Sequence, residues 1–324
     1  MPSTVLQSIM PLNVDSTMIS CARSCLQKFR LEFVLGLRPI GLSVDLHAGA
    51  CFALAIEETY RQIHIAKRPL AEALLRAHFA FMASWGDFEI PEWKRTAKTK
   101  ERVWEAVEGY FAEWSPLTDP CQPYTAADGN PTFEYTFAIP LEPFCDPHAG
   151  TVKPGDFPEH PDGGPFLYSG RFDMLGSYMG YPCIRDEKTT GSSIGDRWAE
   201  QWDLRSQFMG YVWACRQGGV DARNVIVRGI GIQKTQLRFV EAIKTYSDFL
   251  IARWYEQLRR DLWRIRRAWD EGYFDFNLGE SCTAYGSCAF MTNCQSQVPE
   301  AWMQGYEVRR WNPLIKNPVK VPTS

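Results

Sequence analysis

YSGRFDMLGSYMGYPCIRDEKTTGSS, residues 168–193, holds two short apolar segments, each running into acidic side chains. FLYSGRFDML and YPCIRDEKT both read as strands from their apolar, β-branched and aromatic content. A buried strand normally ends in turn residues, so the charged cluster Asp186, Glu187 and Lys188 needs a reason. Asp173 ends the first strand and Asp186 the second. Carboxylates gathered at the ends of adjacent strands repel one another, and a divalent cation compensates for that repulsion. Lys188 lies two positions after Asp186 and so projects to the same face, whereas the Glu187 side chain points away by alternation, either acid being the ligand if the strand bulges there. The expected arrangement is Mg²⁺ or Mn²⁺ held by Asp173 and Asp186, with the backbone carbonyl of Glu187 as a further oxygen ligand. The bland alternative is a surface turn, where Asp-Glu-Lys is commonplace.

Outward from this stretch, PTFEYTFAIPL and NVIVRGIGIQK are further strands, and RWAEQWDLRSQFMGYVWACRQ is a helix between the last two strands. Strand, strand, strand, helix, strand predicts an α/β fold with a mixed central sheet flanked by helices. Upstream, STMISCARSCLQKFRLEFVLGL reads as one early helix closed by Gly36 and Pro39. Three more amphipathic helices follow in DLHAGACFALAIEETYRQIHIAKR, PLAEALLRAHFAFMASW and KTKERVWEAVEGYFAEW. A long helix over about residues 247–270 carries Ile251, Trp254, Leu258, Leu262, Ile265 and Trp269 on one stripe. The organisation expected is an N-terminal helical region over 1–130, a core over 131–296 with a Cys-rich closure, and a tail over 297–324.

The 324 residues are 45% hydrophobic and 23% charged, as in a globular protein with a core. A net charge of −3 argues against a chain that coats nucleic acid non-specifically, but not against a local basic groove. No apolar run approaches the roughly eighteen residues of a membrane span. The N-terminal stretch lacks a basic start and an apolar core, so a cytoplasmic location is expected. Ten cysteines are too sparse for a disulfide scaffold, and in a reducing compartment clustered ones read as metal ligands. Cys282, Cys288 and Cys294 are evenly spaced in a loop-like segment, and Cys21 and Cys25 lie near the start. Cys51, Cys121, Cys145, Cys183 and Cys215 read as buried free thiols.

GRFDML, PCIRDEKTT and QFMGY, in that order, resemble the PD-(D/E)XK nuclease superfamily in its RecB-like branch. That family shows Gly-x-x-Asp, a strand ending Asp-x-Lys-Thr, and a helix bearing Gln-x-x-x-Tyr. The resemblance implies a restriction-endonuclease-like fold and a metal-dependent deoxyribonuclease, exonucleolytic on single strands or duplex ends. It implies catalytic roles for Asp173, Asp186, Lys188, Gln207 and Tyr211, the last two being four apart and thus on one helix face. Glu134 resembles the acidic residue of the family's first core strand. The family's upstream helix carries a metal-binding histidine where this chain has Ala53, in GACFALAIE; His47 replaces it only if the helix is rotated. The branch also contains nucleases closed by a [4Fe–4S] cluster, with an early Cys-x-x-x-Phe and a late cysteine triplet. By that resemblance Cys25, followed by Phe29, joins Cys282, Cys288 and Cys294; zinc is the alternative, since thiolates suit both.

DNA is the partner implied, together with a helicase or a recombination or CRISPR-adaptation protein, because no Gly-x-x-x-x-Gly-Lys-[Ser/Thr] loop is present. Phage or mobile-element recombination, DNA repair and CRISPR adaptation are the settings such a chain suits. The arginines from Arg259 to Arg267 and the segment KRTAKTKER at 94–102 are basic candidates for contacting phosphates. Trp198 and Trp202 are candidates for stacking on bases. A non-catalytic DNA-binding or assembly module retaining the fold is the competing reading.

Overall fold

The early helical run does not continue through Cys25. That residue is extended, with φ −168° and ψ 121°, and its thiol accepts the Lys28 amide at 3.4 Å. The N-terminal element is therefore split in two, because a residue that caps the second helix cannot also continue the first. A computed structural model of the protein describes residues 7–41, 43–92, 94, 96–126, 129, 131–142, 156–284 and 287–315.

In chain order the elements are β1 (Asn13–Val14), α1 (Ser16–Ser24), α2 (Leu26–Phe29), a π-helical turn (Arg30–Val34) and β2 (Leu37–Pro39). Next come α3 (Val44–His64), α4 (Leu70–Trp85), α5 (Lys100–Glu113), β3 (Cys121–Pro123), β4 (Phe133–Pro140), β5 (Leu167–Tyr178) and β6 (Tyr181–Thr190). After α6 (Ser206–Gln217) follow β7 (Asn224–Ile232), β8 (Leu237–Thr245), α7 (Asp248–Asp270), α8 (Met291–Gln295) and β9 (Tyr306–Val308). The expected α/β class with a mixed sheet, flanking helices and N-terminal helices is the one observed. The helix expected from Arg197 begins only at Ser206; two 3-10 turns occupy Asp196–Trp202 before it. No helix among the described residues is long and apolar enough to cross a membrane.

The chain folds into two compact units, interleaved in sequence: 1–41 with 137–170 and 248–324, and 42–136 with 171–247. In the first, α1 begins at Asp15, whose side chain accepts the Met18 amide at 2.8 Å and the Trp311 indole at 2.8 Å. Arg23 of α1 and the buried Asp261 of α7 pair at 2.7 Å. β2 and β9 pair antiparallel, Leu37 opposite Val308, so the early and late chain are tied by backbone. Gly36 turns the chain into β2 at φ +72°, a conformation glycine adopts without steric cost.

In the second unit the strand order is β5-β6-β7-β8, with β3 and β4 also pairing with β5. β5 and β6 form an antiparallel hairpin, β6 and β7 are parallel through the α6 crossover, and β7 and β8 are antiparallel. Helices α3, α4 and α5 share a core with the sheet: Cys51, Phe52 and Ile56 of α3, Phe81 of α4 and Val103, Val107 and Tyr110 of α5 meet Cys183, Ile226 and Ile230. β7, parallel to β6 and antiparallel to β8, is buried along nearly its whole length.

Candidate active site

β6 separates two chemistries by strand alternation. Arg185 and Glu187 point to one face, and Asp186 and Lys188 to the other. On the first face Arg185 is buried, 2.6 Å from the Glu187 carboxylate and 2.9 Å from the Tyr60 hydroxyl. Tyr110 donates to Glu187 at 2.7 Å. Asp119 grips the buried Arg228 of β7 with two contacts of 2.7 Å, and Arg228 also reaches Glu241 at 2.9 Å and the Tyr110 hydroxyl at 3.0 Å. The guanidinium of Arg185 stacks on Tyr60 and that of Arg228 on Trp114, at 4.4 and 4.5 Å. Each buried charge thus has a counter-charge and hydrogen bonds, the condition for tolerating it in a core. The side chain of Glu187 is committed to this network, so only its backbone remains for the role expected of it.

On the other face the β5–β6 ladder ends at Met174 opposite Arg185. The next pair would be Asp173 and Asp186, and there the strands part. The Asp173 carboxylate accepts the Glu187 backbone amide at 2.9 Å in place of a ladder bond. Lys188 reaches the buried Asp186 at 2.6 Å, and Asp186 Oδ1 has no hydrogen bond besides that ion contact among the described residues. Asp173, Asp186 and Lys188 are therefore brought together. Asp173 nevertheless lies within β5 and Asp186 within β6 rather than at the strand ends expected, because β5 continues into its hairpin with β6 and β6 continues along β7.

The electrostatics are those of crowded acids. Burial, then Asp186, Glu187 and Glu134, hold the Asp173 carboxyl well above the ordinary carboxylate range, against the pull of Lys188. Burial also raises Asp186, though Lys188 opposes it. Burial works against the Lys188 ammonium, but Asp186 and Asp173 outweigh it and keep the group protonated. Glu134 is pushed up to about 7 by burial, relieved in part by Arg171 and worsened by Glu187 and Asp186. Glu134 pairs with Arg171 and has φ +47°, an uncommon conformation for a non-glycine residue and one that recurs at functional sites.

Gln207 and Tyr211 do share a face of α6: the Gln207 amide donates to the Tyr211 hydroxyl at 2.9 Å. Tyr211 packs edge-on against Phe172, next to Asp173, and Phe208 of the same helix lies 5.8 Å from the Lys188 ammonium. Ala53 lies on α3 between Gly49, where an added Cβ would meet Thr189 at 3.5 Å, and Arg61, close enough to Glu134 to lower its pKa. His47 does not turn toward this region. Its ring packs against Trp85 and Phe88 and contacts Cys51 at 3.7 Å.

The four cysteines Cys25, Cys282, Cys288 and Cys294 all belong to the first unit, and all are free. Burial raises the Cys294 thiol to about 11, with smaller electrostatic contributions from Cys25, Cys288 and Cys282. Yet no three of them, and no other three His, Cys, Asp or Glu among the described residues, are gathered closely enough to hold a metal ion. Cys25 and Cys282 instead lie 3.9 and 3.8 Å from the carbonyls of Asp275 and Asn277. Cys51, Cys121, Cys183 and Cys215 are buried free thiols, and Cys145 lies outside the described residues.

The basic candidates fare unevenly. Arg259 and Arg260 both pair with Glu256, and Arg266 with Asp270. Lys98 is buried against Asp45, Lys94 lies 3.8 Å from the same carboxylate, and Arg102 pairs with Glu105; Arg95 lies outside the described residues. Trp202 is buried, 5% exposed, and unavailable for stacking on a base. Trp198 is half-buried, its ring lying against the backbone of Gly229. Arg171 and Arg205 were not singled out by the sequence; the only local signal for Arg171 was its place in Gly-Arg-Phe-Asp.

The sheet is mixed, and Asp173, Asp186 and Lys188 gather where β5 and β6 stop pairing. The chain belongs to the PD-(D/E)XK nuclease superfamily, whose family model matches residues 16–295. Among solved structures, the crystal structure of SSO0001 is similar at 10% identity, with a TM-score of 0.33, over 89% of this chain and 88% of that one. None of the curated proteins compared with the chain matches it.

Proposed function

We propose that the protein is a Mg²⁺- or Mn²⁺-dependent deoxyribonuclease that hydrolyses phosphodiester bonds at Asp173, Asp186 and Lys188. The observation that carries the reading is the parting of β5 and β6 at Asp173 and Asp186, with Lys188 2.6 Å from Asp186. The donor set fits a hard divalent cation: the carboxylates of Asp173 and Asp186 lie close together despite burial, and Lys188 already holds a positive charge against Asp186. Such a cation, when bound, supplies charge neutralisation for the phosphate and eases deprotonation of the attacking water. Lys188, kept protonated by its acidic neighbours, is an electrostatic group rather than a base; it stabilises charge developing on the non-bridging oxygens and orients the water. Gln207 and Tyr211, linked to each other beside Phe172, position the phosphate.

The finer reading is a RecB-like exonuclease acting on single strands or duplex ends, in phage or mobile-element recombination, DNA repair or CRISPR adaptation, with unwinding left to a partner helicase. Cys25, Cys282, Cys288 and Cys294 would hold a [4Fe–4S] cluster; their thiolate chemistry supports it, and zinc fits the same donors. A brown anaerobic preparation that bleaches on Cys288→Ser favours iron, and a colourless, zinc-containing one excludes it.

The deciding experiment is cleavage of labelled single- and double-stranded DNA with Mn²⁺, wild type against Lys188→Ala. Loss of about 10²-fold or more in rate is expected, the scale of removing one transition-state charge donor. Equal rates would overturn the enzyme reading and leave the non-catalytic module, which Ala53 in the family's histidine position favours.

A further inference from the structure

The arginines around the candidate site differ in what they face. Arg61 pairs with Glu57, Arg171 with Glu134, and Arg185 with Glu187. Arg205 has no such acid. It is exposed, and its guanidinium makes no hydrogen bond or ion pair among the described residues; it rests 5.7 Å from the centroid of the Trp202 ring.

Its position is nevertheless fixed. Arg205 immediately precedes α6, and its carbonyl accepts the Phe208 and Met209 amides at 3.0 and 3.1 Å. Phe208, three residues on and hence on the same side of the first turn, carries the Lys188 ammonium on its ring. Trp202 beneath Arg205 is buried against Phe208 and Trp198, at 5.7 and 5.3 Å, and its carbonyl accepts the Tyr246 hydroxyl. Trp198 in turn lies on Gly229, the residue paired with Lys188 in β7. One aromatic platform therefore carries both Lys188 and Arg205.

Arg205 is also near enough to lower the pKa of Asp186 and of Lys188. For Lys188 that is like-charge repulsion. Two cations carried on neighbouring rings, only one of them partnered, make a place where an anion is favoured. A guanidinium is suited to a phosphate because its planar fork meets two oxygens at once.

We propose that Arg205 is a substrate-binding residue of this site, its guanidinium taking two non-bridging oxygens of a nucleic-acid phosphate beside Lys188. The proposal rests on the nuclease reading for its substrate, and two separate measurements test it.

The first is binding of a fluorescent single-stranded oligonucleotide with Ca²⁺ in place of Mn²⁺, as a function of salt. Arg205→Ala should lower the slope of log K against log[salt] by about 0.7, the value for one phosphate contact on a single strand, whereas Arg205→Lys should keep the slope. The second is cleavage with Mn²⁺, where Arg205→Ala should raise KM about tenfold, the effect of losing about 1.4 kcal/mol of binding. An unchanged slope and unchanged KM in Arg205→Ala would overturn the proposal. If the wild type binds DNA but does not cut it, the nuclease reading fails and the salt slope alone decides the role of Arg205. If it binds no DNA, both fall.

Discussion

The carboxylate of Asp173 accepts the backbone amide of Glu187 at 2.9 Å, across the point where β5 and β6 stop pairing. One side chain thus closes the end of a ladder and holds an acid beside Asp186. The two roles separate by substitution. Asp173→Asn keeps an oxygen for the amide and removes a charge from a crowded buried group, so in EDTA it should melt at or above the wild-type temperature. Calorimetric titration of the same variant with Mn²⁺ should show uptake lost. Asp173→Ala should lose both, with a melting temperature below wild type.

The raised acids link metal, protons and stability. Burial pushes the Glu134 carboxyl up to about 7, above its ordinary 4.5, and raises Asp173 and Asp186 in the same direction. Between those values the folded state binds more protons than the unfolded one, so the metal-free contribution of these groups is most favourable at low pH and is lost as pH rises through about 7. A cation reverses the penalty by favouring the ionised forms. The gap in melting temperature between Mn²⁺-loaded and EDTA-treated protein should widen from about pH 5 to about pH 8. A constant gap would contradict this.

Ala53→His restores the residue that the family carries at this point of α3. Ala53 lies about one turn after Gly49, which faces Thr189 of β6, so a side chain there shares that face of α3. The Kd for Mn²⁺ should fall about tenfold, equivalent to about 1.4 kcal/mol. Titration calorimetry reads it directly, and an unchanged Kd would remove Ala53 from the account of metal affinity.

Asp119→Ala should be among the most damaging single changes away from the candidate site. It strips Arg228 of a bidentate partner with both groups buried, which costs about 3–5 kcal/mol. Urea unfolding measures it; a loss below about 1 kcal/mol, the range of exposed pairs, would show the network to be solvated.

Legibility in the sequence followed locality. The shared face of Asp186 and Lys188 was readable because strand alternation fixes it, and that of Gln207 and Tyr211 because four residues make about one helical turn. The meeting of Asp173 with Asp186 depends on hairpin register, which alternation within one strand does not give. The partners of Arg185 and Arg228 were not. Tyr60, Tyr110 and Asp119 come from 125, 118 and 109 residues away, and no periodicity connects them. The break at Cys25 was hidden because periodicity reports which face is apolar, not whether one thiol turns back to cap the next turn. Arg205 was hidden for the opposite reason: its environment is defined by a carboxylate it lacks.

The opposed faces of β6 give the strand a built-in frame check. Slip it by a single position, and Arg185 and Glu187 would swing to the face that holds Asp173 while Asp186 and Lys188 entered a space furnished by Asp119, Tyr60 and Tyr110. Neither side could accept the other's charges. A one-residue insertion between Tyr181 and Arg185 should therefore cripple the chain more severely than deleting any one of its proposed metal ligands.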